Sequence, residues 1–511
     1  MTPLPARGAV LVVVIALLLS GCGAFGSDSS EAPAGPSQST SEATTAAPLG
    51  TYYSQRLDWK SCQGMLQCAT LKVPLDYARP AGRSIGIELL KVPAKAESAR
   101  LGSMVVNPGG PGASGVDYAA AATRIYGEPI LKSYDVVGFD PRGVSRSAPV
   151  DCASAKQFNT LLQSDPDPDT AQERAHSDRL LRRFGRGCLS RSGGITRHMS
   201  TVEVAKDLDV LRAALGDRKL TYFGASYGTA IGATYAELFP DKVGRFVLDG
   251  ALDPRSSTLQ LNLVQAQGFE TALRSYVGAC VDRGDCFLGS SVDQGTRRIR
   301  AFLDSVETTP LPTASGRRLT IGDAYYGIGL PLYDELYWTT LDRALQAAFK
   351  GDGTQMMALA DAYLERRPDG SFASNSFQAF YAVNCLDHDD AVPAKNLQRH
   401  EARFEKAAPT FGRTFLYSTT ACNQWPVHTG KGGRRLDAAG IPPVLVVGTT
   451  RDPATPLVWA QALARQLPGS VLITRDGDGH TGYGQGSDCV DDAIEAYLVS
   501  GTVPREDLTC S

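Results

Sequence analysis

The sequence predicts an α/β protein: a mostly parallel sheet with helices on both faces, interrupted by one large and mainly helical insertion. Short apolar runs bounded by Gly, Pro or Asp recur in the first half and again near the end, as buried parallel strands require. Helical patterns lie between them, and strands alternating with helices build a sheet covered on both sides. Between about Pro254 and Arg435 the rhythm changes to helical periodicity with few strand-like runs.

The strands are expected at Ile85–Val92, Ser103–Asn107, Tyr134–Phe139, Leu220–Phe223 and Arg245–Leu248, with two late ones at Val444–Gly448 and Val471–Thr474. The clearest helix opens at Ser200 with Glu203 three residues on, a capping box. It carries Val204, Leu208, Leu211 and Leu215 on one face, and Gly216 ends it. A second helix runs to about Leu238, ahead of Pro240. Within the insertion, Leu341–Phe349 and Gln355–Leu364 have helical periodicity. The β-rich blocks 51–253 and 436–511 read as two parts of one sheet, and 254–435 as a cap upon it. An independent C-terminal domain would leave the late strands without partners.

The N-terminal residues 1–21 hold one positive charge, Arg7, followed by the apolar run Ala9 to Leu19. That run is too short to span a bilayer and reads as a secretory signal. It ends in Leu19-Ser20-Gly21-Cys22, which resembles a bacterial lipobox, so Cys22 is the expected lipidation site. Residues 22–50 are mostly Ser, Thr, Ala, Pro and Gly and cannot bury enough surface to offset ordering, as in a flexible tether. A membrane partner through a lipid anchor on the extracellular face follows, with shedding through the tether left open. Eleven cysteines less Cys22 leave an even number, which suits an oxidising compartment. Pairing neighbours in sequence gives Cys62–Cys68, Cys152–Cys188, Cys280–Cys286, Cys385–Cys422 and Cys489–Cys510, one of many possible connectivities. No Cys/His spacing indicates a metal. With 51 basic and 54 acidic residues, no basic patch points to nucleic acid. The chain is read as a monomer.

Gly224-Ala-Ser-Tyr-Gly228 follows a short apolar run. A G-x-S-x-G frame after a strand is the signature of a nucleophile elbow, where the chain reverses sharply into a helix and leaves a serine exposed. Serine needs an adjacent base, itself oriented by a third group. Of six histidines, His480 alone follows a late strand, in a glycine-rich loop. Asp452, after the strand at Val444–Gly448, is the expected acid, and gives the chain order Ser, Asp, His. Asp249, which also ends a strand, is the alternative. Asn107-Pro-Gly-Gly-Pro-Gly112 supplies a backbone loop for an oxyanion. The N–H groups of Tyr227 and of Gly109 or Gly110 are the expected donors.

Together with Cys68-Ala-Thr-Leu-Lys-Val-Pro-Leu-Asp-Tyr77, Asp135-Val-Val-Gly-Phe-Asp-Pro-Arg-Gly143 and Asp452-Pro-Ala-Thr-Pro456, these motifs resemble the secreted tripeptidyl aminopeptidases of actinobacteria. That group belongs with the proline iminopeptidase-like α/β-hydrolases, and the chain looks similar to its mycobacterial cell-envelope serine proteases. The resemblance implies an α/β-hydrolase fold whose residues 436–511 form a TAP-like C-terminal region. It also implies a serine exopeptidase that releases short peptides, tripeptides foremost, from free N-termini, without a cofactor. Acidic cap residues are then expected to bind the substrate's ammonium, with Asp334, Glu335 and Asp387 as candidates. Ser145 stands where relatives lead one to expect glycine. Two other readings stay open: a cell-envelope esterase or lipase with the same triad, and a non-catalytic surface module on the same scaffold.

Overall fold

The computed structural model describes residues 49–430 and 432–511. The signal segment, Cys22 and nearly all of the tether lie outside the described residues.

The sheet has ten strands: β1 Lys60–Gln63, β2 Leu66–Pro74, β3 Ser84–Val92, β4 Gly102–Asn107, β5 Tyr134–Phe139, β6 Leu220–Ala225, β7 Val243–Asp249, β8 Leu445–Arg451, β9 Val471–Asp478 and β10 Leu508–Cys510. Their spatial order is β1-β2-β3-β5-β4-β6-β7-β8-β9-β10. Antiparallel pairing joins β1, β2, β3 and β5. From β5 onward every pair is parallel. β7 pairs directly with β8, Val247 opposite Leu445, so the two sequence blocks do form one sheet.

Side chains alternate across the strands. Val105, Tyr222, Leu248 and Val446 pack into one buried layer. Met104, Val106, Phe223, Val247, Leu445 and Val447 pack into the other. Burial on both faces explains why these strands read as continuous apolar runs rather than alternating ones. β1, β2 and β10 are absent from the sequence expectations. β2 lies near the antiparallel edge with exposed Thr70 and Lys72, and β10 is only three residues long.

The helix expected from Ser200 spans Thr201–Ala214, with the Ser200–Glu203 capping box in place. The insertion is helical, apart from a two-stranded hairpin of Leu311–Pro312 with Arg318–Leu319, and has its own core built on Leu273, Tyr276, Ile299, Leu303, Leu341 and Leu345. The helices Ala155–Leu162 and Ala171–Ser192 lie within the first block of the sequence but contact the insertion. Asn159 Oδ1 accepts from Arg366, 3.1 Å away, and Arg300 approaches Asp167 at 3.4 Å. The Ala171–Ser192 helix buries only Phe184, Gly185 and Cys188, so its sequence carries little sign of where it packs.

Five disulfides close Cys62–Cys68, Cys152–Cys188, Cys280–Cys286, Cys385–Cys422 and Cys489–Cys510. Among the described residues no helix is long and apolar enough to cross a membrane.

Candidate active site

β6 ends at Ala225, Ser226 takes φ 55° and ψ −126°, and the helix Tyr227–Leu238 begins at the next residue. That positive φ at a non-glycine residue is the strained turn of an elbow. Both flanking glycines are dictated by close approach. A Cβ on Gly224 would lie 2.5 Å from Gly228 O, and one on Gly228 would lie 2.7 Å from Asn107 O.

The 107–112 loop rests on this elbow. A Cβ on Gly109, at φ +99°, would meet Ala225 O at 2.6 Å and Tyr227 N at 2.8 Å. The Gly109 N–H donates to Asn107 Oδ1 at 2.9 Å. The Gly110 N–H has no partner among the described residues. The side chain of Asn107 thus occupies the Gly109 amide and leaves that of Gly110 unengaged.

Asp452 and His480 are brought together at the carboxyl ends of β8 and β9. His480 Nδ1 lies 2.9 Å from Asp452 Oδ2 and 3.0 Å from its Oδ1. Asp452 also accepts from Ala454 N and Thr455 N, both at 2.8 Å, from Thr455 Oγ1 at 2.8 Å and from Thr481 N at 3.1 Å. This carboxylate is 1 % exposed and its lone pairs are saturated, as a buried charge requires. Burial by itself lowers the His480 pKa, but the charge and hydrogen bond of Asp452, with a further contribution from Asp249, raise it overall. His480 N donates to Tyr333 O at 2.9 Å, and the Tyr333 ring meets the imidazole edge-on at 5.4 Å. A cap residue thus buttresses the imidazole.

Ser226 and His480 line one cavity of about 1270 Å³ between sheet and cap. No hydrogen bond joins the two side chains among the described residues. The cap side is aromatic: Phe269 packs on Tyr333, and Tyr363 packs on Tyr326 and Phe377.

The three acidic candidates part company here. Asp387 lines the cavity, but its carboxylate accepts from Thr201 N at 2.9 Å at the head of the Thr201–Ala214 helix. Asp334 and Glu335 do not line it. Asp334 turns back to cap Leu336 N at 2.9 Å, and Glu335 sits among Asp478, Arg475 and Arg451. Glu365, absent from the sequence candidates, does line the cavity. It holds φ 52°, accepts from Ser374 Oγ, and its pKa is raised by burial. A lone Glu inside a helical insertion carries no local signal that would have found it. Asp165, Glu173 and Glu307 place ligand atoms within 4.8 Å of one another, but Glu173 is engaged in the capping box of the Ala171–Ser192 helix. Of the three, Asp165 lines the cavity that Ser226 and His480 share.

A parallel sheet, a serine at a strained strand-to-helix turn and a buried carboxylate–imidazole pair define a serine hydrolase of the α/β-hydrolase fold. Residues 408–510 match the family described as TAP-like protein. Over 477 residues the chain is 36% identical to serine protease Hip1 of Mycobacterium tuberculosis, spanning 89% of this chain and 91% of the relative. It is 37% identical over 485 residues to carboxylesterase B of the same organism, 92% of each chain. It is 32% identical over 473 residues to the tripeptidyl aminopeptidase of Streptomyces lividans, 89% of this chain and 86% of the relative. The chain belongs to this TAP-like family of α/β-hydrolase serine peptidases.

Proposed function

We propose that this protein is a serine exopeptidase that releases short peptides, tripeptides foremost, from free N-termini. The carrying observation is that Ser226 opens into a cap-roofed cavity whose wall also holds His480, itself locked on Asp452. At about 1270 Å³ the cavity exceeds the ~300–1,000 Å³ of small-molecule sites and suits a peptide end. Its aromatic walls favour apolar side chains. The family relation to a tripeptidyl aminopeptidase supports the same reading.

Ser226 Oγ attacks the scissile carbonyl while His480 Nε2 takes its proton, and the contact between them closes as substrate settles. Asp452 fixes the imidazole tautomer through Nδ1 and balances the imidazolium charge. The N–H groups of Tyr227 and Gly110 receive the oxyanion. The imidazolium then protonates the departing amine, and water, deprotonated by His480, releases the acyl group. Glu365, on the cavity wall, is the carboxylate we assign to a substrate ammonium, with Asp387 beside the same cavity but engaged by Thr201.

Mass spectrometry of products from a free N-terminal peptide library tests this, with Ser226→Ala as control. N-terminal tripeptides are expected, and N-acetylation should cut turnover at least tenfold. Equal cleavage of acetylated and free peptides excludes an aminopeptidase. The relation to a carboxylesterase favours ester hydrolysis as the second reading. A higher kcat/KM on short-chain nitrophenyl esters than on aminoacyl anilides would establish it. We further infer a lipid anchor at Cys22. Cys22→Ala should move the protein from the membrane fraction to the medium.

A further inference from the structure

Asp249 is buried at the end of β7, 1 % exposed, and the chemistry above does not use it. Its main-chain oxygen accepts from Ser226 N at 2.8 Å, the register that places Asp249 beside Ala225. Its side chain accepts from Gly482 N at 2.8 Å and Tyr483 N at 3.0 Å. The preceding N–H, that of Thr481, donates to Asp452. Three successive amides after His480 are thus shared between two carboxylates. Thr481 holds φ 72°, a conformation that a threonine adopts only under external constraint. Gly250, at φ +65°, brings the same strand end against the imidazole, for a Cβ there would lie 3.3 Å from His480 Cε1.

We propose that Asp249 is a positioning residue that clamps the His480 loop onto the end of β7, whose main chain holds Ser226 N, and so sets the imidazole relative to the nucleophile. This rests on the Ser226–Asp452–His480 reading. The groups that face Asp249 are His480 and Asp452 and the phenols of Tyr118 and Tyr126. Burial, opposed by the two backbone donors, raises its pKa to about 6. The charge of its carboxylate favours the imidazolium of His480.

The test is Asp249→Asn in the full-length enzyme, with kcat normalised to sites titrated by a fluorophosphonate, so that partly unfolded material does not count. Asn keeps one acceptor but opposes the second amide with a donor. The expected result is a loss of about 10- to 100-fold in kcat per titrated site, as for a small misplacement of a reacting group. KM should stay within about twofold. The acid limb of kcat should move to lower pH, because a charge that favours the imidazolium is gone. A purely structural residue would not move that limb. Asp249→Ser, smaller and uncharged, should act in the same direction and serves if the Asn variant fails to fold. Parental kcat and pH limb in a folded variant overturn the proposal, as does a loss confined to KM. Abolished turnover in Asp249→Asn with Asp452→Asn active would make Asp249 the triad acid. Activity surviving in Ser226→Ala would instead overturn the underlying catalytic reading.

Discussion

Buried imidazoles ordinarily lose their proton more easily, yet the charge and hydrogen bond of Asp452 reverse that tendency at His480. A base must be neutral to take the proton of Ser226. Since the folded pKa is raised above 6.5, kcat/KM should rise with pH through a midpoint above 6.5. Asp452→Asn should shift that midpoint down and lower kcat by roughly 10³- to 10⁴-fold, read from a pH–rate profile. The same raised pKa makes the pair stabilising below the unfolded pKa, an effect lost as pH rises through the folded value. Ser145 is a second residue with a measurable consequence. It holds φ 44°, where a side chain is strained and glycine is at ease, and its N–H is tied to Asn375 Oδ1 at 2.8 Å. Ser145→Gly should therefore stabilise the protein by roughly 0.5 kcal/mol, seen as a small rise in Tm. The sequence marks this site only as a departure from relatives. The strain is visible only in the backbone.

At the scale of elements, the site depends on two turns fitting against each other. The elbow after β6 leaves no room for a side chain on the 107–112 loop, so the glycines are required by proximity rather than by flexibility alone. Gly109→Ala should lift that loop from Ala225 O and Tyr227 N and lower kcat about 10²- to 10³-fold, the range for a lost oxyanion donor. Steady-state kinetics with a folded variant would check it. The core strands were legible because burial on both faces writes an unbroken apolar run. β2 was not, since its outer positions face water and its pattern is polar at alternate residues. Which of the Gly109 and Gly110 amides is engaged could not be read from sequence either. It turns on where one side chain, Asn107, points its oxygen.

At the scale of the molecule, the cavity is made by chain segments far apart in sequence, from Pro108 to Gln485. The Cys385–Cys422 bond closes a loop of 37 residues within the cap, and loop-closure entropy assigns such a bond about 4 kcal/mol. Cys385→Ser with Cys422→Ser should lower Tm and increase proteolytic nicking of the cap before the sheet unfolds. The contact of Asp387 with Thr201 ties that same cap to the core, which is why a residue chosen as a substrate ligand proves also to be a fastening.

The sequence by itself determined the central strands of the sheet, the elbow at Ser226 and the placing of Asp452 and His480 after late strands. Those features rest on local periodicity and on turns that only certain residues can make. Tertiary structure decided which glycine amide is free, which carboxylates reach the cavity, and that Asp249 faces the loop of His480. Each of these is a distance between residues remote in the chain, and no local pattern encodes such a distance.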